Sequence, residues 1–144
     1  MKNSFIKSPR IENEEVLLYT PGSKEKEEVL KIYDDLYNTK IDIKLKIDGR
    51  EIEAKEKNEM YPPHDFKHNL GTYSIADKNH VDLAIKSALT VKEKWNDLGF
   101  SERASIFLKA AELICGPYRN IINASTMIAQ SKTIHQAEID AACE

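Results

Sequence analysis

Glycine is scarce in this chain: the five glycines stand at Gly22, Gly49, Gly71, Gly99 and Gly116 and never cluster. A dinucleotide or nucleotide phosphate is cradled by closely spaced glycines that let backbone amides approach it, so no such loop is present. Ser131-Lys132-Thr133 has the look of a Walker tail but lacks the glycines that must precede it, and it reads as a junction between helices. Long apolar runs are missing too, which leaves no segment able to span a bilayer. A positive excess is also missing. The net charge is -3, which points away from nucleic acid and from anionic membranes. The first residues, Met1 to Glu15, have no apolar signal core and turn acidic by Glu12, so they read as neither secretory signal nor transit peptide, and a cytoplasmic setting is the default.

There are two cysteines, Cys115 and Cys143, both in alanine-rich helical surroundings, and they read as reduced, partly buried small side chains. The four histidines give no metal-binding spacing. His64 and His68 share a proline-flanked loop with Asp65, but a site would need two further ligands that the sequence does not supply. No metal site is expected, and loop polarity is the reading preferred. Hydrophobic residues make up 41% and charged residues 31%, a balance that suits a folded soluble domain rather than a disordered one.

Residues 1–22 carry Pro9, Pro21 and Gly22 with no clear period and read as an extended arm. Ser23 is an N-cap, with Glu25, Glu27 and Glu28 favourable to the dipole of the helix that follows. Val29, Ile32, Tyr33, Leu36 and Tyr37 recur at spacings of three and four and give one buried stripe, and Asn38 ends the helix. Ile41, Ile43, Leu45 and Ile47 alternate with polar residues, which predicts one strand with one packed face. Asp48-Gly49 predicts a two-residue hairpin turn into a return strand over 51–55. The polar run 55–59 reads as a connection, the Tyr61-Pro62-Pro63 stretch as a break, and 71–75 as a further strand.

Asp77 caps a helix over 78–96, with Val81, Ala84, Ile85, Ala88, Leu89 and Trp95 on one stripe. Gly99 ends that segment and Ser101 caps the next, whose Phe107, Leu108, Ala111 and Ile114 are available to the core. Gly116-Pro117 stops one helix and starts another, since proline suits a first turn. Helices are expected over 118–130 and 133–144. Arg103 and Arg119, beside helix ends, are expected to form surface pairs with carboxylates such as Glu102 or Glu112, worth roughly 0–1 kcal/mol. Glu138 and Asp140 point to different sides of one helix and are no acid–base pair. The last helix reaches Glu144 with no glycine or asparagine to end it and no basic last turn, which reads as a helix cut short.

The wording of several segments adds to this. IDGREIEA (Ile47 to Ala54), PPHD (Pro62 to Asp65), LGTYSIADKNHVDLAI (Leu70 to Ile85), RASIFLKAAELICGPYR (Arg103 to Arg119) and QSKTIHQAEIDAACE (Gln130 to Glu144) form an ordered series. That series resembles the aldehyde dehydrogenases, most closely the branch that oxidises L-glutamate γ-semialdehyde to L-glutamate in proline degradation. The resemblance covers most of the chain beyond about residue 15. It implies an α/β parent fold, of which this chain would be a mostly helical portion with a small antiparallel β-hairpin element. It implies that 23–144 are the amino-terminal portion of such a domain, preceding the catalytic region.

By the same resemblance the parent enzyme uses NAD, acts on a small-molecule substrate and assembles as a homo-oligomer. It attacks the aldehyde with a cysteine thiolate from a glycine-rich loop further along the chain. Cys143, in a helical AACE context, does not match that loop, so no catalytic and no cofactor-binding residue is expected here. The match assigns one site residue, Glu144, as the carboxylate that faces the substrate's ammonium group, a group that needs an opposite charge once taken out of water. The competing expectation is a non-catalytic helical module that binds a partner.

Overall fold

A computed structural model describes residue 12 and residues 14–143. Helix α1 (Lys24–Asn38) starts where its cap predicts: the Ser23 hydroxyl accepts the Lys26 N–H at 3.3 Å. Its stripe is real. Val29 is fully buried, and with Tyr19 and Ala124 it forms the core, against which Leu17, Ile32, Tyr33, Leu36 and Ile134 pack. The core is therefore made by α1 lying on α4 (Arg119–Gln130), with the irregular segment 14–20 laid across them.

The expected strand over 41–47 is divided. β1 (Ile41–Ile43) and β2 (Leu45–Ile47) belong to two different sheets, and Lys44 is the break between them. β2 pairs antiparallel with β3 (Arg50–Ile52) through the predicted hairpin, where Asp48 and Gly49 take φ of 55° and 71° as a two-residue turn of this hand requires. β1 instead pairs parallel with β5 (Gly71–Ser74). β4 (Lys57–Met60), a segment expected to be a connection, pairs antiparallel with the other edge of β5. Polar composition hid β4 because Lys57, Asn58 and Glu59 stay exposed while the backbone carries the pairing.

Gly71 makes the parallel pairing possible. Its φ is +130°, and a Cβ there would sit 1.8 Å from the Ile41 carbonyl oxygen, so only glycine fits opposite Ile41. The alternation over 41–47 yields a part-packed face only in β2, where Leu45 and Ile47 are half-buried, while Ile41 and Ile43 are both exposed.

Helices α2 (Lys78–Asp97) and α3 (Phe100–Cys115) follow. Asp77 caps α2 as predicted, accepting the His80 N–H at 3.0 Å while the Asp77 N–H donates to His80 Nδ1 at 3.2 Å. Ser101 is not the cap of α3. The cap is Gly99, whose N–H donates to the Glu102 carboxylate at 2.8 Å, and Ser101 lies inside the first turn. Neither helix buries a residue, and the stripes expected to meet a core face outward, with Leu89 61% and Phe107 66% exposed. Trp95 and Phe107 meet edge to face at 6.5 Å and join the two helices to each other.

α4 ends at Ser131, which adopts left-handed φ of 53°, and Thr133 caps α5 (Ile134–Ala137) by accepting the Gln136 N–H. The Ser131-Lys132-Thr133 stretch is thus a helix junction. The last helix is not uniform: beyond Ala137 it widens into a π-type segment, Glu138–Cys143.

Candidate functional site: a buried polar cluster under the amino-terminal segment

Glu138 opens the π-type segment and is completely buried. A carboxylate in that position must be met by donors from several directions or it would not be charged. Four residues meet it. The Leu17 N–H donates at 2.9 Å and the Tyr19 hydroxyl at 2.7 Å, both from the segment 14–20. Asn123 Nδ2 donates at 2.6 Å, and Arg119 Nε lies 3.1 and 3.2 Å from the two carboxylate oxygens, with Nη2 closing the fork. Arg119 and Asn123 stand one helical turn apart on α4, so they present the same face.

Arg119 then reaches outward. Its Nη1 donates to the Glu14 carboxylate at 2.9 Å and its Nη2 to the Glu15 carbonyl oxygen. The arginine is 8% exposed, so the expected surface pairing is corrected: Arg119 is an interior ion-pair partner. The carboxylates proposed for it are committed elsewhere, Glu102 to the α3 cap and Glu112 to Lys109 at 2.9 Å. Glu138 and Asp140 do face different sides, since Asp140 pairs with Lys132 at 2.6 Å on the surface.

The electrostatics lock this cluster in one protonation state. Burial pushes the Glu138 carboxyl up, but the bonds from Arg119, Leu17, Tyr19 and Asn123 outweigh it and hold the group at about 2. The Tyr19 hydroxyl is pushed up to about 12, first by burial and then by donation to Glu138. Arg119 is raised further above its ordinary value by its bonds to the same carboxylate. These shifts all favour an ionised Glu138 beside a protonated Tyr19 and Arg119, which suits the cluster to holding geometry.

The two thiols border it. Cys143 Sγ lies 3.7 Å from Arg119 Nη2 and 3.7 Å from Glu138 Oε1, and Cys115 Sγ lies 3.4 Å from the Ala142 carbonyl oxygen, to which it donates. Burial pushes both thiols up, and Glu14 and Glu138 push in the same direction. Both are free and half-buried, and the shift disfavours the thiolate. Glu144, the residue assigned by resemblance, lies outside the described residues.

The histidines organise a loop. His68 stacks on Tyr37 with ring centres 3.9 Å apart and bonds the Tyr37 carbonyl oxygen, while His64 bonds the Ser131 hydroxyl at 2.8 Å. Together they fasten 61–69 to α1 and to the α4–α5 junction. An apolar cavity of about 250 Å³ lies between the sheet and these helices, lined by Leu36, Ile43, Met60, Leu70 and Ile128 among others. It brings no converging polar groups together and so has no means of orienting a substrate.

Sequence reasoning missed Tyr19, Asn123 and the true partner of Arg119. One signal was present: Glu138 falls on the same helical face as Ile134 and Ala142, and a carboxylate interrupting an apolar face calls for a cation. Nothing local names that cation, because Arg119 lies 19 residues away on another helix.

Comparison with known proteins gives a consistent result. Residues 51–143 match the model of the aldehyde dehydrogenase family. A Schizosaccharomyces pombe protein named "probable delta-1-pyrroline-5-carboxylate dehydrogenase" is 42% identical over 140 residues, which is 96% of this chain and 26% of that protein. The human mitochondrial delta-1-pyrroline-5-carboxylate dehydrogenase is 36% identical over 95% of this chain and 24% of its own length. The crystal structure of the Mycobacterium tuberculosis delta-pyrroline-5-carboxylate dehydrogenase bound with NAD and cobalamin superposes with a TM-score of 0.95 at 36% identity, covering 100% of this chain and 27% of that one. The chain thus spans about a quarter of the length of the curated relatives it matches.

Proposed function

The chain belongs to the aldehyde dehydrogenase family, and on that premise we propose that it serves as the amino-terminal portion of an NAD-dependent dehydrogenase. The reaction is oxidation of L-glutamate γ-semialdehyde, the open form of 1-pyrroline-5-carboxylate, to L-glutamate in proline degradation. The observation that carries this reading is the breadth of the match. Relatives named for this activity align over nearly the whole chain, and one solved structure follows its fold from end to end. The match extends to the region of the buried cluster as well as to the helices that flank it.

NAD, when bound in such an enzyme, accepts the hydride. The described residues do not fit it. The caps of α1, α2 and α5 are taken by Ser23, Asp77 and Thr133, and the Gly99 amide at the start of α3 is taken by the Glu102 carboxylate, which would repel a pyrophosphate. The family resemblance puts the cofactor site in sequence beyond these residues. The part assigned to this chain is structural and substrate-directed, with Glu144 as the carboxylate for the substrate ammonium. The family resemblance supports a homo-oligomer.

A polypeptide that continues this chain to the relatives' full length should form NADH from 1-pyrroline-5-carboxylate. In that protein Glu144→Ala should weaken the amino-acid aldehyde by about 3–5 kcal/mol, because it strips one partner from a desolvated charge pair. Propanal, which carries no ammonium, should be far less affected. Equal losses for both aldehydes would remove Glu144 from the substrate site.

A further inference from the structure

The buried cluster ties the amino-terminal segment to α4 and to the last helix. Glu138 accepts from Leu17 and Tyr19 of the amino-terminal segment, and Arg119 donates to Glu14 and Glu15 of the same segment. That segment lies over the cluster as a strap, with Tyr19 5% exposed. Beneath it Glu138 begins a six-residue π-type segment that runs to Cys143, directly before Glu144. An i→i+5 helix is less favourable than an α-helix, so something must hold it, and such turns recur at functional sites.

A cluster built for stability alone would be better served by apolar side chains, since buried ion pairs replaced by hydrophobic residues are often neutral or more stable. What a fork of this kind adds is direction. Two planar groups, Arg119 and the Glu138 carboxylate, interlock with two bonds from the strap, and together they allow the start of the π-type segment one rotation.

We propose that the strap Glu14–Tyr19, through Tyr19 and Arg119, is a positioning clamp for the π-type segment 138–143, and that discrimination for the amino-acid aldehyde depends on it. The second half rests on the proposed function of the longer enzyme and on Glu144 as its ammonium-facing carboxylate. Tyr19 and Arg119 touch no substrate in this account. They act by fixing the backbone from which the carboxylate departs.

The test uses Tyr19→Phe, which removes one hydroxyl and no volume to speak of, and Glu14→Gln, which weakens the outer end of the clamp and keeps the buried pair. In the full-length enzyme Tyr19→Phe should raise KM for glutamate semialdehyde about tenfold relative to its effect on propanal, with kcat for the two changed alike, because small displacements of a positioning group are costly. Glu14→Gln should shift the same ratio in the same direction by less. An unchanged KM ratio in both variants would overturn the specificity role, and should Tyr19→Phe fail to fold, the Glu14→Gln ratio decides it. Separately, amide hydrogen exchange in the full-length enzyme should rise about tenfold over 139–143 in Tyr19→Phe, which loses the bond to the Glu138 carboxylate and the bond from Asn123, and less in α1. Unchanged exchange there would overturn the clamp itself. If the wild-type enzyme proves inactive on glutamate semialdehyde, the functional reading falls, and the exchange result still decides the clamp.

Discussion

At the scale of single residues, Glu138 carries the most consequence. Its carboxyl sits at about 2 in the folded chain against an ordinary 4.5. A folded value below the unfolded one stabilises the protein above the ordinary range, and the benefit disappears as pH falls toward the folded value. Wild type should therefore lose stability between about pH 4.5 and about 2 more steeply than Glu138→Gln, by chemical denaturation at a series of pH values. Parallel curves would show that the carboxylate is not held as described. At neutral pH Glu138→Ala should cost about 3–5 kcal/mol, since it leaves Arg119 buried with Glu14 as its remaining carboxylate. Tyr19→Phe should cost about 1.5–3 kcal/mol, the range for a hydrogen bond to a charged group, since the hydroxyl donates to the Glu138 carboxylate and also accepts from Asn123. Sequence reasoning placed Arg119 beside a helix terminus and rightly left Glu138 unpaired with Asp140. It could not choose Glu138 for Arg119, because the choice is made by the packing of α4 against the last helix.

At the scale of elements, caps were the legible signals. Ser23, Asp77 and the Asp48-Gly49 turn all act where their chemistry predicts, because each is satisfied within three or four residues. Ser101 was the wrong cap, displaced by a Gly99 amide that Glu102 satisfies from inside the helix. Strand order was not legible. Nothing in the alternation over 41–47 marks Lys44 as a break, and β4 has no apolar pattern because its first three residues are exposed and its pairing with β5 is a backbone ladder. Gly71 is the residue on which that small sheet depends. Gly71→Ala should destabilise the chain by more than about 1 kcal/mol, measured by urea unfolding, because both its φ of +130° and the Ile41 backbone reject a Cβ. A neutral effect would mean that β1 and β5 separate at little cost.

At the scale of the whole molecule, the outward stripes of α2 and α3 set the behaviour. Helical periodicity identified these stripes correctly but not what they face. Val81, Leu89, Phe100 and Phe107 are all at least half exposed, an amount of apolar surface that a soluble monomer seldom leaves uncovered. The isolated chain should bind a hydrophobic dye strongly and self-associate as concentration rises, and a monodisperse chain with no dye binding would favour the self-contained module. No helix of the described residues is long and apolar enough to cross a membrane, so those stripes are not spans.

The central claim is that this chain shapes and orients a site whose chemistry lies in the remaining length of the family. NADH formation from 1-pyrroline-5-carboxylate, followed side by side for the 144-residue chain and for a polypeptide extended to the relatives' full length, tests it most directly. The account predicts turnover by the extended protein and none by the chain alone. Turnover by the chain alone, or an extended protein that is inactive with this substrate, would contradict it.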